Sequence, residues 1–337
     1  MNIGVVGCGS IATAHVRALQ EIENVKNIYV FDIDSAKAMA LSNQFGKVGV
    51  NISIKDMISK VDGIIIATPN NTHLPILKEI ISIKPIPILC EKPLASSLPD
   101  AREIQKLAPP LSCVGFNYRF NHAVNKIFEV SNSRKLGNLI FADIGFNKNS
   151  AITKRTVSWR DLANQQNSSG AFGDLSSHLF DLVSHFSKSP IDKERLKVSL
   201  GTKVKYREGV KLCNDDHSIA TGVTESGVIF RIISSKAAQQ EDLGFYLNLV
   251  LDGGELNYSS TNPKQIKIKP IDEIEAGIMF LDIKTLLDDP ENEIAYWSDS
   301  LFLQDKEWLE QISSNISSKM LAGISNGLHI QELIFRT

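Results

Sequence analysis

Short apolar runs alternate with stretches of helical periodicity along the first third of the chain. The predicted strands are residues 3–6, 28–31, 63–67, 86–90 and 112–115. The predicted helices between them are residues 10–22, 35–45, 73–83 and 99–108. Continuously apolar runs of this length are typical of strands buried on both faces of a parallel sheet. The alternation therefore predicts an α/β fold that begins with a doubly wound parallel sheet.

The remainder of the chain has a different pattern. Helices are predicted at residues 122–131 and 173–187, and helical periodicity returns over residues 301–336. The extended runs of this part are residues 139–146, 196–206, 219–224, 228–233, 245–251, 255–258 and 265–269. Turn signals separate several of them, which favours an antiparallel sheet with helices to one side. We expect the boundary between the two parts near residues 118–122.

A glycine motif directly follows the first predicted strand. Residues 7–12 have the G-x-G-x-x-A form of the dinucleotide fingerprint, and Asp32 ends the second predicted strand, close to the usual distance of about 20 residues. Gly7 permits the tight turn, Gly9 lets the backbone approach a pyrophosphate, and Ala12 lets the helix pack on the sheet. The alternative is an ordinary tight turn of two glycines.

The helix after this motif is expected to receive the pyrophosphate on its free N–H groups. Asp32 would accept hydrogen bonds from the ribose hydroxyls and would repel a 2′-phosphate, and no Arg stands beside it. The pattern therefore favours NAD over NADP. The expected cofactor-binding residues of this motif are Gly7, Gly9, Ser10, Ile11, Ala12 and Asp32.

Polar residues follow the strand predicted at residues 63–67, where a loop would face the cofactor. The alternative role for this loop is that Asn71 or Thr72 caps the next helix, and both roles can hold together. The expected cofactor-binding residues of the loop are Thr68, Pro69, Asn70 and His73.

Glu91 and Lys92 follow the strand predicted at residues 86–90. A lysine at the mouth of a parallel sheet can be partly desolvated, which suits it to proton transfer or to polarising a carbonyl oxygen. The other interpretation is a surface lysine beside a glutamate, and position alone leaves both open.

Asp174 and His178 lie four residues apart in the helix predicted at residues 173–187, and Asp181 follows on the same general side. A carboxylate one turn from an imidazole can fix its tautomer or raise its basicity, as a general base requires. Alternatively, Asp174 is favoured there by the helix dipole, or the three residues bind a metal. No cysteine or distant carboxylate completes a metal site, so we expect no metal.

Composition narrows the class of protein. The 337 residues are 43% hydrophobic and 22% charged, with a net charge of −2 and four cysteines without CxxC spacing. These values are typical of a globular protein with free thiols in a reducing compartment and give no basic surface for nucleic acid. The N-terminus lacks the features of a signal peptide, and no run of about 18 apolar residues is present. We expect a cytoplasmic protein without membrane or nucleic-acid partners.

The order of these motifs resembles that of the Gfo/Idh/MocA oxidoreductases. The resemblance rests on the glycine motif, Asp32, the loop at residues 68–73, the Glu91-Lys92-Pro93 triplet, residues 115–120 and the helix with Asp174 and His178. It implies a Rossmann dinucleotide-binding domain over residues 1–120. It also implies a substrate-binding and oligomerisation domain over residues 121–337 with a large, mostly antiparallel open sheet. The last helices of the chain are candidates to pack back on the first domain.

The resemblance also implies which residues act. Lys92, Asp174 and His178 are the expected catalytic set, and Glu91 and Lys92 are also expected near the cofactor. Asn117, Tyr118 and Arg119 are expected to contact substrate together with Asp174 and His178. Trp159 and Arg160 are expected beside the cofactor. The chain departs from the family pattern at residues 169–171, where Ser-Gly-Ala stands in place of a glycine triplet.

The implied activity is hydride transfer between nicotinamide C4 and a secondary alcohol or ketone of a sugar, cyclitol or nucleotide-sugar. NAD is the expected cofactor, and a homodimer or homotetramer is the expected assembly. Two alternatives stay open at this point: a non-catalytic dinucleotide-binding regulator of a sugar pathway, and an imine or ring reductase of the same fold.

Overall fold

The computed structural model describes residues 1–133, 135–157, 161, 170–271, 277–287 and 294–335. The chain divides into two compact units, the first chiefly residues 1–120 and 298–331 and the second chiefly residues 121–285. The first contains a parallel sheet and the second a mostly antiparallel one, so the expected α/β fold class is confirmed. No helix in the described part of the chain is long and apolar enough to cross a bilayer.

The elements of both units follow closely from the sequence patterns. The strands are β1 (Asn2–Val6), β2 (Asn27–Phe31), β3 (Val48–Val50), β4 (Gly63–Ile66), β5 (Ile88–Cys90), β6 (Cys113–Val114), β7 (Leu139–Asn147), β8 (Lys197–Gly201), β9 (Tyr206–Arg207), β10 (Val210–Lys211), β11 (His217–Val223), β12 (Ile229–Ser235), β13 (Gly244–Leu251), β14 (Gly254–Ser259), β15 (Gln265–Pro270), β16 (Gly277–Phe280) and β17 (Ala322–Gly323). The α-helices are α1 (Ser10–Glu21), α2 (Ser35–Ser42), α3 (Ile54–Ile58), α4 (His73–Ile83), α5 (Leu98–Leu107), α6 (His122–Asn132), α7 (Ser150–Thr153), α8 (Ser177–Ser187), α9 (Trp297–Ser314) and α10 (Ile324–Ile334).

The sheet of the first unit has the strand order β17-β6-β5-β4-β1-β2-β3. All neighbouring strands are parallel except β17, which runs antiparallel to β6. Strands β1 and β4 are neighbours although two strands separate them in sequence, so the chain order reverses between them. In an open parallel sheet, ligands bind at such a reversal, beyond the carboxyl ends of the strands.

Strands β3, β10, β16 and β17 and helices α3 and α7 were absent from the sequence prediction. Strand β3 and helix α3 have only three and five residues, too few for a periodic pattern to register. The helical prediction over residues 301–336 is wrong in its middle, because β17 interrupts it and pairs with β6. Helix α9 also belongs to the first unit, where Trp308 is fully buried against the strands.

The second unit has an eight-stranded sheet in the order β16-β15-β14-β13-β7-β12-β11-β8. Only β7 and β12 are parallel neighbours; the other pairs are antiparallel. Burial alternates along β13, as expected for a sheet with one covered face. Helix α8 lies on that face, where the Phe180 ring packs edge-on against Phe230 at a centroid distance of 6.2 Å.

Candidate active site

The glycine turn after β1 has the backbone that the fingerprint requires. Gly7 has a φ of +97°, and a Cβ there would lie 2.5 Å from the carbonyl oxygen of Ala67. Glycine alone accommodates both the left-handed conformation and this close approach. The Gly7 N–H donates to the carbonyl of Phe31, which ties the turn to β2 (2.8 Å). The turn therefore passes between the ends of β2 and β4, at the reversal of strand order.

The start of α1 fits the pyrophosphate of a dinucleotide. A Cβ built at Gly9 would meet no atom within 4 Å, so open space lies where the phosphates would approach. Gly9 is the N-cap of α1, and no side chain of the described residues caps this helix. The first turn also contains no acidic residue that would compete for its N–H groups. Uncapped N–H groups at the positive end of a helix dipole are a site for an anion.

Asp32 is half-buried and held at the end of β2. Its Oδ2 accepts from the N–H of Cys8 at 2.8 Å, and its Oδ1 accepts from the N–H of Asp34 at 2.9 Å. Each carboxylate oxygen keeps a second lone pair for a ligand hydroxyl. The glycine turn and Asp32 are therefore parts of one hydrogen-bonded arrangement.

The loop of residues 68–73, the threonine loop, follows β4. His73 is buried, with Nε2 2.9 Å from the carbonyl of Thr68 and Nδ1 3.1 Å from the carbonyl of Leu94. Burial lowers the pKa of His73, although these carbonyls oppose the shift. The ring thus joins two loops, and its direct contact with a cofactor stays a prediction. Thr72 stands at the N-cap of α4 but makes no side-chain capping bond, so the capping alternative is wrong for Thr72.

The loop of residues 91–95, the lysine loop, follows β5 and carries the half-buried Lys92. Its downstream end is fixed at Ala95, whose N–H donates to Oε1 of Gln331 and whose carbonyl accepts from Nε2 of Gln331 (3.1 and 2.9 Å). The side-chain amide of Asn70 donates to the same carbonyl at 3.3 Å. Asn70 and His73 therefore connect the threonine loop to the lysine loop.

Glu91 is buried at the upstream end of the lysine loop. Its Oε1 lies 3.1 Å from Nε2 of His15 on α1, and Nδ1 of His15 faces Asp305 on α9. Sequence reasoning placed Glu91 beside the cofactor and missed His15 and Asp305. Within a helical pattern, a histidine and an aspartate at buried positions are indistinguishable from ordinary packing residues, so no local signal identified them.

Residues 117–120 form a buried 3₁₀ turn that starts beyond β6. The Asn117 amide donates to the hydroxyl of Ser300 at 2.7 Å, and Nη1 of Arg119 donates to the carbonyl of Met320 at 3.1 Å. Both partners belong to the C-terminal segment of the first unit. These contacts give Asn117 and Arg119 a role in holding that segment, and the expected substrate contacts of Asn117, Tyr118 and Arg119 stay predictions.

In the second unit, Asp174 lies in a π-helical turn, Phe172–Ser176, that leads into α8. Asp215 holds the start of this turn, because its Oδ2 accepts from the N–H of Phe172 at 2.8 Å. A Cβ at Gly170 would lie 1.9 Å from Oδ1 of Asp215, which explains the glycine that is retained there. Burial raises the pKa of Asp215. Single π-turns of this kind often occur at functional sites.

Three buried serines attach the π-turn to the sheet. The hydroxyl of Ser176 lies 2.9 Å from that of Ser234 on β12 and 3.2 Å from that of Ser218 on β11. Ser234 also donates to the carbonyl of Ala171 at 3.1 Å. Small side chains allow the close approach, and their hydroxyls satisfy one another and a backbone carbonyl. This packing sets the position of Asp174 relative to β12.

Lys236, directly after β12, forms an ion pair with Asp174, with Nζ 2.8 Å from Oδ2. The lysine side chain is 14% exposed and the aspartate side chain 35% exposed, so water screens the pair only in part. Sequence reasoning missed Lys236. The available signal was a lysine within three residues of the end of an apolar run, which is similar to the signal that identified Lys92.

The other residues of the helix differ in their surroundings. His178 and Asp181 are buried near the start of α8. His185, one helical turn further on, stacks on Phe128 of α6 at a ring distance of 3.9 Å, so it is a packing residue. Trp159 and Arg160, which were expected beside the cofactor, lie outside the described residues.

Comparison with known proteins identifies the class. Residues 1–118 match the model of an oxidoreductase family with an NAD-binding Rossmann fold, and residues 124–255 match the Gfo/Idh/MocA C-terminal domain. The chain therefore belongs to the Gfo/Idh/MocA family of oxidoreductases. The predicted family and the oxidoreductase class are confirmed.

Several characterised relatives are similar to this chain. Glucose-6-phosphate 3-dehydrogenase of Bacillus subtilis is 32% identical over 99% of this chain and 94% of its own length. Inositol 2-dehydrogenase of Corynebacterium glutamicum is 30% identical over 45% of this chain and 47% of its own length. The structure of levoglucosan dehydrogenase in complex with NADH and levoglucosan has a TM-score of 0.84 at 15% identity, covering 99% and 95% of the two chains. The last similarity concerns the fold alone.

We predict that Lys236→Met lowers kcat for NADH formation about tenfold or more, because Asp174 loses the cation that orients it. Orienting contacts of catalytic groups typically have effects of this size or larger. Lys236→Arg, which keeps the charge, should lose less activity, and Lys148→Met, directly after the neighbouring strand β7, serves as a matched control. Steady-state kinetics and thermal unfolding of the three variants are the measurements. Equal kcat in Lys236→Met and wild type would show that the pair has no part in turnover.

Proposed function

We propose that the protein is an NAD-dependent dehydrogenase that oxidises a secondary hydroxyl of a sugar-type substrate to a ketone, with Lys92, Asp174 and His178 as its catalytic residues. The observation that carries the proposal is the lysine loop, which is fixed by buried side chains beyond the carboxyl end of β5. The threonine loop and the glycine turn follow the neighbouring strands β4 and β1. The confirmed oxidoreductase family supports the same chemistry.

The residues of the first unit fit NAD. The N–H groups at the start of α1 would hold the pyrophosphate, and Asp32 would accept from the ribose hydroxyls. NAD⁺ bound there would supply the hydride acceptor for the carbinol carbon. Because Asp32 carries a negative charge, a 2′-phosphate is disfavoured, which supports NAD over NADP.

The protein's own groups handle the proton of the same reaction. His178 takes the hydroxyl proton as the carbon–oxygen double bond forms, and it returns the proton in the reverse direction. The Lys92 ammonium donates a hydrogen bond to that oxygen and stabilises its developing negative charge. Asp174, oriented by Lys236, binds a neighbouring hydroxyl or orients His178. Loss of one hydride and one proton converts the alcohol to the ketone.

A hexose phosphate is the first substrate to test, because the relative that aligns over 99% of the chain is a glucose-6-phosphate 3-dehydrogenase. We expect NADH absorbance to rise when the protein meets NAD and glucose 6-phosphate, and to rise less with glucose, myo-inositol or levoglucosan. Glucose is the matched control for the phosphate group. Higher activity with another polyol of the panel would assign the substrate to the class of that compound instead. Absence of NADH with every sugar, cyclitol and nucleotide-sugar tested would contradict the dehydrogenase itself.

We predict that Lys92→Ala and His178→Ala each lower kcat by roughly 10² or more, the size of effect expected for a lost acid–base or oxyanion-stabilising group. NADH binding, followed by its fluorescence, should change little, because neither side chain contributes to the glycine turn. Lys78→Ala, an exposed lysine on α4, is the control. Turnover near that of wild type in both variants would remove these residues from the catalytic set.

We predict that Asp32→Asn relaxes the preference for NAD. The substitution removes the charge that repels a 2′-phosphate and keeps an oxygen for the N–H of Cys8 or Asp34. The ratio of dissociation constants for NADPH and NADH should fall about fivefold or more, measured by fluorescence titration, since removal of a nearby repulsive charge is worth about 1 kcal/mol or more. The same ratio in the variant and wild type would contradict the assigned role of Asp32.

We further propose that the protein works in the cytosol as a homodimer or homotetramer. The four free cysteines support the cytosolic location. The family resemblance supports the homo-oligomer.

A further inference from the structure

Three ionisable side chains meet behind the lysine loop. His15 of α1 is fully buried, with Nδ1 2.8 Å from Oδ2 of Asp305 and Nε2 3.1 Å from Oε1 of Glu91. Asp305, on α9, is also fully buried, and Glu91 is nearly so. All three residues belong to the first unit. We call them the His15 cluster.

Both ring nitrogens of His15 lie within hydrogen-bond distance of a carboxyl oxygen. Carboxylates only accept, and only the protonated ring donates from both nitrogens. Burial disfavours the charged ring, but the carboxylates of Asp305 and Glu91 outweigh this cost and raise the pKa of His15 to about 10. The arrangement therefore favours the cationic form of His15, which lies between two acidic side chains.

A buried ionic cluster is weak evidence for a stabilising role. A buried ion pair or triad can often be replaced by apolar residues of similar volume without loss of stability, whereas removal of one partner is costly. The position of the cluster offers another reason. Glu91 is joined by one peptide bond to Lys92, so the carboxylate that His15 holds lies one residue from the lysine of the proposed catalytic set.

Glu91 has little room to move once His15 holds it. Its N–H donates to the carbonyl of Ile66 on β4 at 2.9 Å. On the side of β6, a Cβ at Gly115 would lie 2.4 Å from Oε1 of Glu91, so the carboxylate packs directly against the glycine backbone. At the far end of the loop, Gln331 makes two hydrogen bonds to Ala95. The lysine loop is thus fixed on both sides of Lys92.

We propose that His15 is a positioning residue for Lys92: by holding the carboxylate of Glu91, it fixes the lysine loop to α1. The inference rests on the proposed function, in which Lys92 is catalytic. Helix α1 would then contribute twice. Its start receives the pyrophosphate of the cofactor, and His15 in its second turn fixes the position of Lys92.

Two substitutions separate this role from a merely structural one. The amide nitrogen of Asn occupies the same branch level as Nδ1 of His, and that of Gln occupies the level of Nε2. His15→Asn therefore keeps the donor to Asp305 and loses the donor to Glu91, whereas His15→Gln does the reverse. Each variant loses one of the two buried contacts of His15, so the melting temperature should fall in both.

The first measurement needs neither substrate nor cofactor. Lysine acetylation of the cofactor-free protein is followed residue by residue with mass spectrometry, and exposed lysines such as Lys60 and Lys78 serve as internal standards. Lys92 should be acetylated several times faster in His15→Asn than in His15→Gln, because only the first variant releases Glu91. Equal acetylation rates of Lys92 in the two variants would overturn the proposal.

The second measurement is kcat with the best substrate of the panel. The value for His15→Asn should be about tenfold or more below that for His15→Gln, since small displacements of a catalytic group have large effects on rate. Combined with Lys92→Ala, the His15→Asn substitution should cost nothing further, because the lysine it positions is gone. If His15→Asn lowers kcat by the same factor in the Lys92→Ala background as in the wild type, the inference is overturned. Full turnover by Lys92→Ala alone would instead overturn the proposed function.

If neither His15 variant folds, Gly115→Ala tests the same claim with all three ionisable residues present. The added methyl group displaces the Glu91 carboxylate from the opposite side. Faster acetylation of Lys92 and a lower kcat are expected, and an unchanged acetylation rate would contradict the role given to Glu91.

Discussion

Parallel pairing of β1, β4 and β5 is the constraint on which the candidate site depends. Parallel strands all end on the same side of a sheet, so whatever follows each strand is brought to one place. Here the glycine turn, the threonine loop and the lysine loop follow three neighbouring strands. The chain supplies these segments from positions far apart in sequence, and parallel main-chain pairing aligns the strands that carry them. The sheet topology therefore brings the segments of the candidate site in the first unit to one edge of the sheet.

Buried polar side chains then convert aligned loops into fixed ones. His73 joins the carbonyls of the threonine loop and the lysine loop, Gln331 holds Ala95, and His15 holds Glu91. A loop without such contacts would sample several conformations, and a catalytic group displaced by about 1 Å can lose two orders of magnitude in rate. In the second unit, different contacts hold the expected catalytic residue in place. There, Asp174 is set by a π-turn that serine hydroxyls attach to the sheet and by an ion pair with Lys236.

The sequence predicted the elements whose signals are local. A glycine fingerprint, an acidic residue at its expected distance and a lysine after an apolar strand each need only a few adjacent residues to be read. Most strands of the two sheets were recognised for the same reason, because each lies within a short apolar or alternating run, whereas β3, β16 and β17 were missed. The missed features are non-local. His15 and Asp305 are 290 residues apart, and β17 pairs with a strand more than 200 residues earlier, so neither contact leaves a local pattern. Lys236 was detectable in principle, but its role depends on Asp174, which only the folded sheet brings near.

Amide hydrogen exchange of the wild-type protein with and without NADH tests the central claim most directly, because it requires no substrate and no variant. The account predicts slower exchange on NADH binding in residues 7–13, 68–73 and 91–96, which follow the carboxyl ends of β1, β4 and β5. It predicts no change in residues 24–26 and 60–62, which precede β2 and β4 at the opposite ends of the strands. Protection confined to those opposite ends, or absent from the glycine turn and the lysine loop, would contradict it.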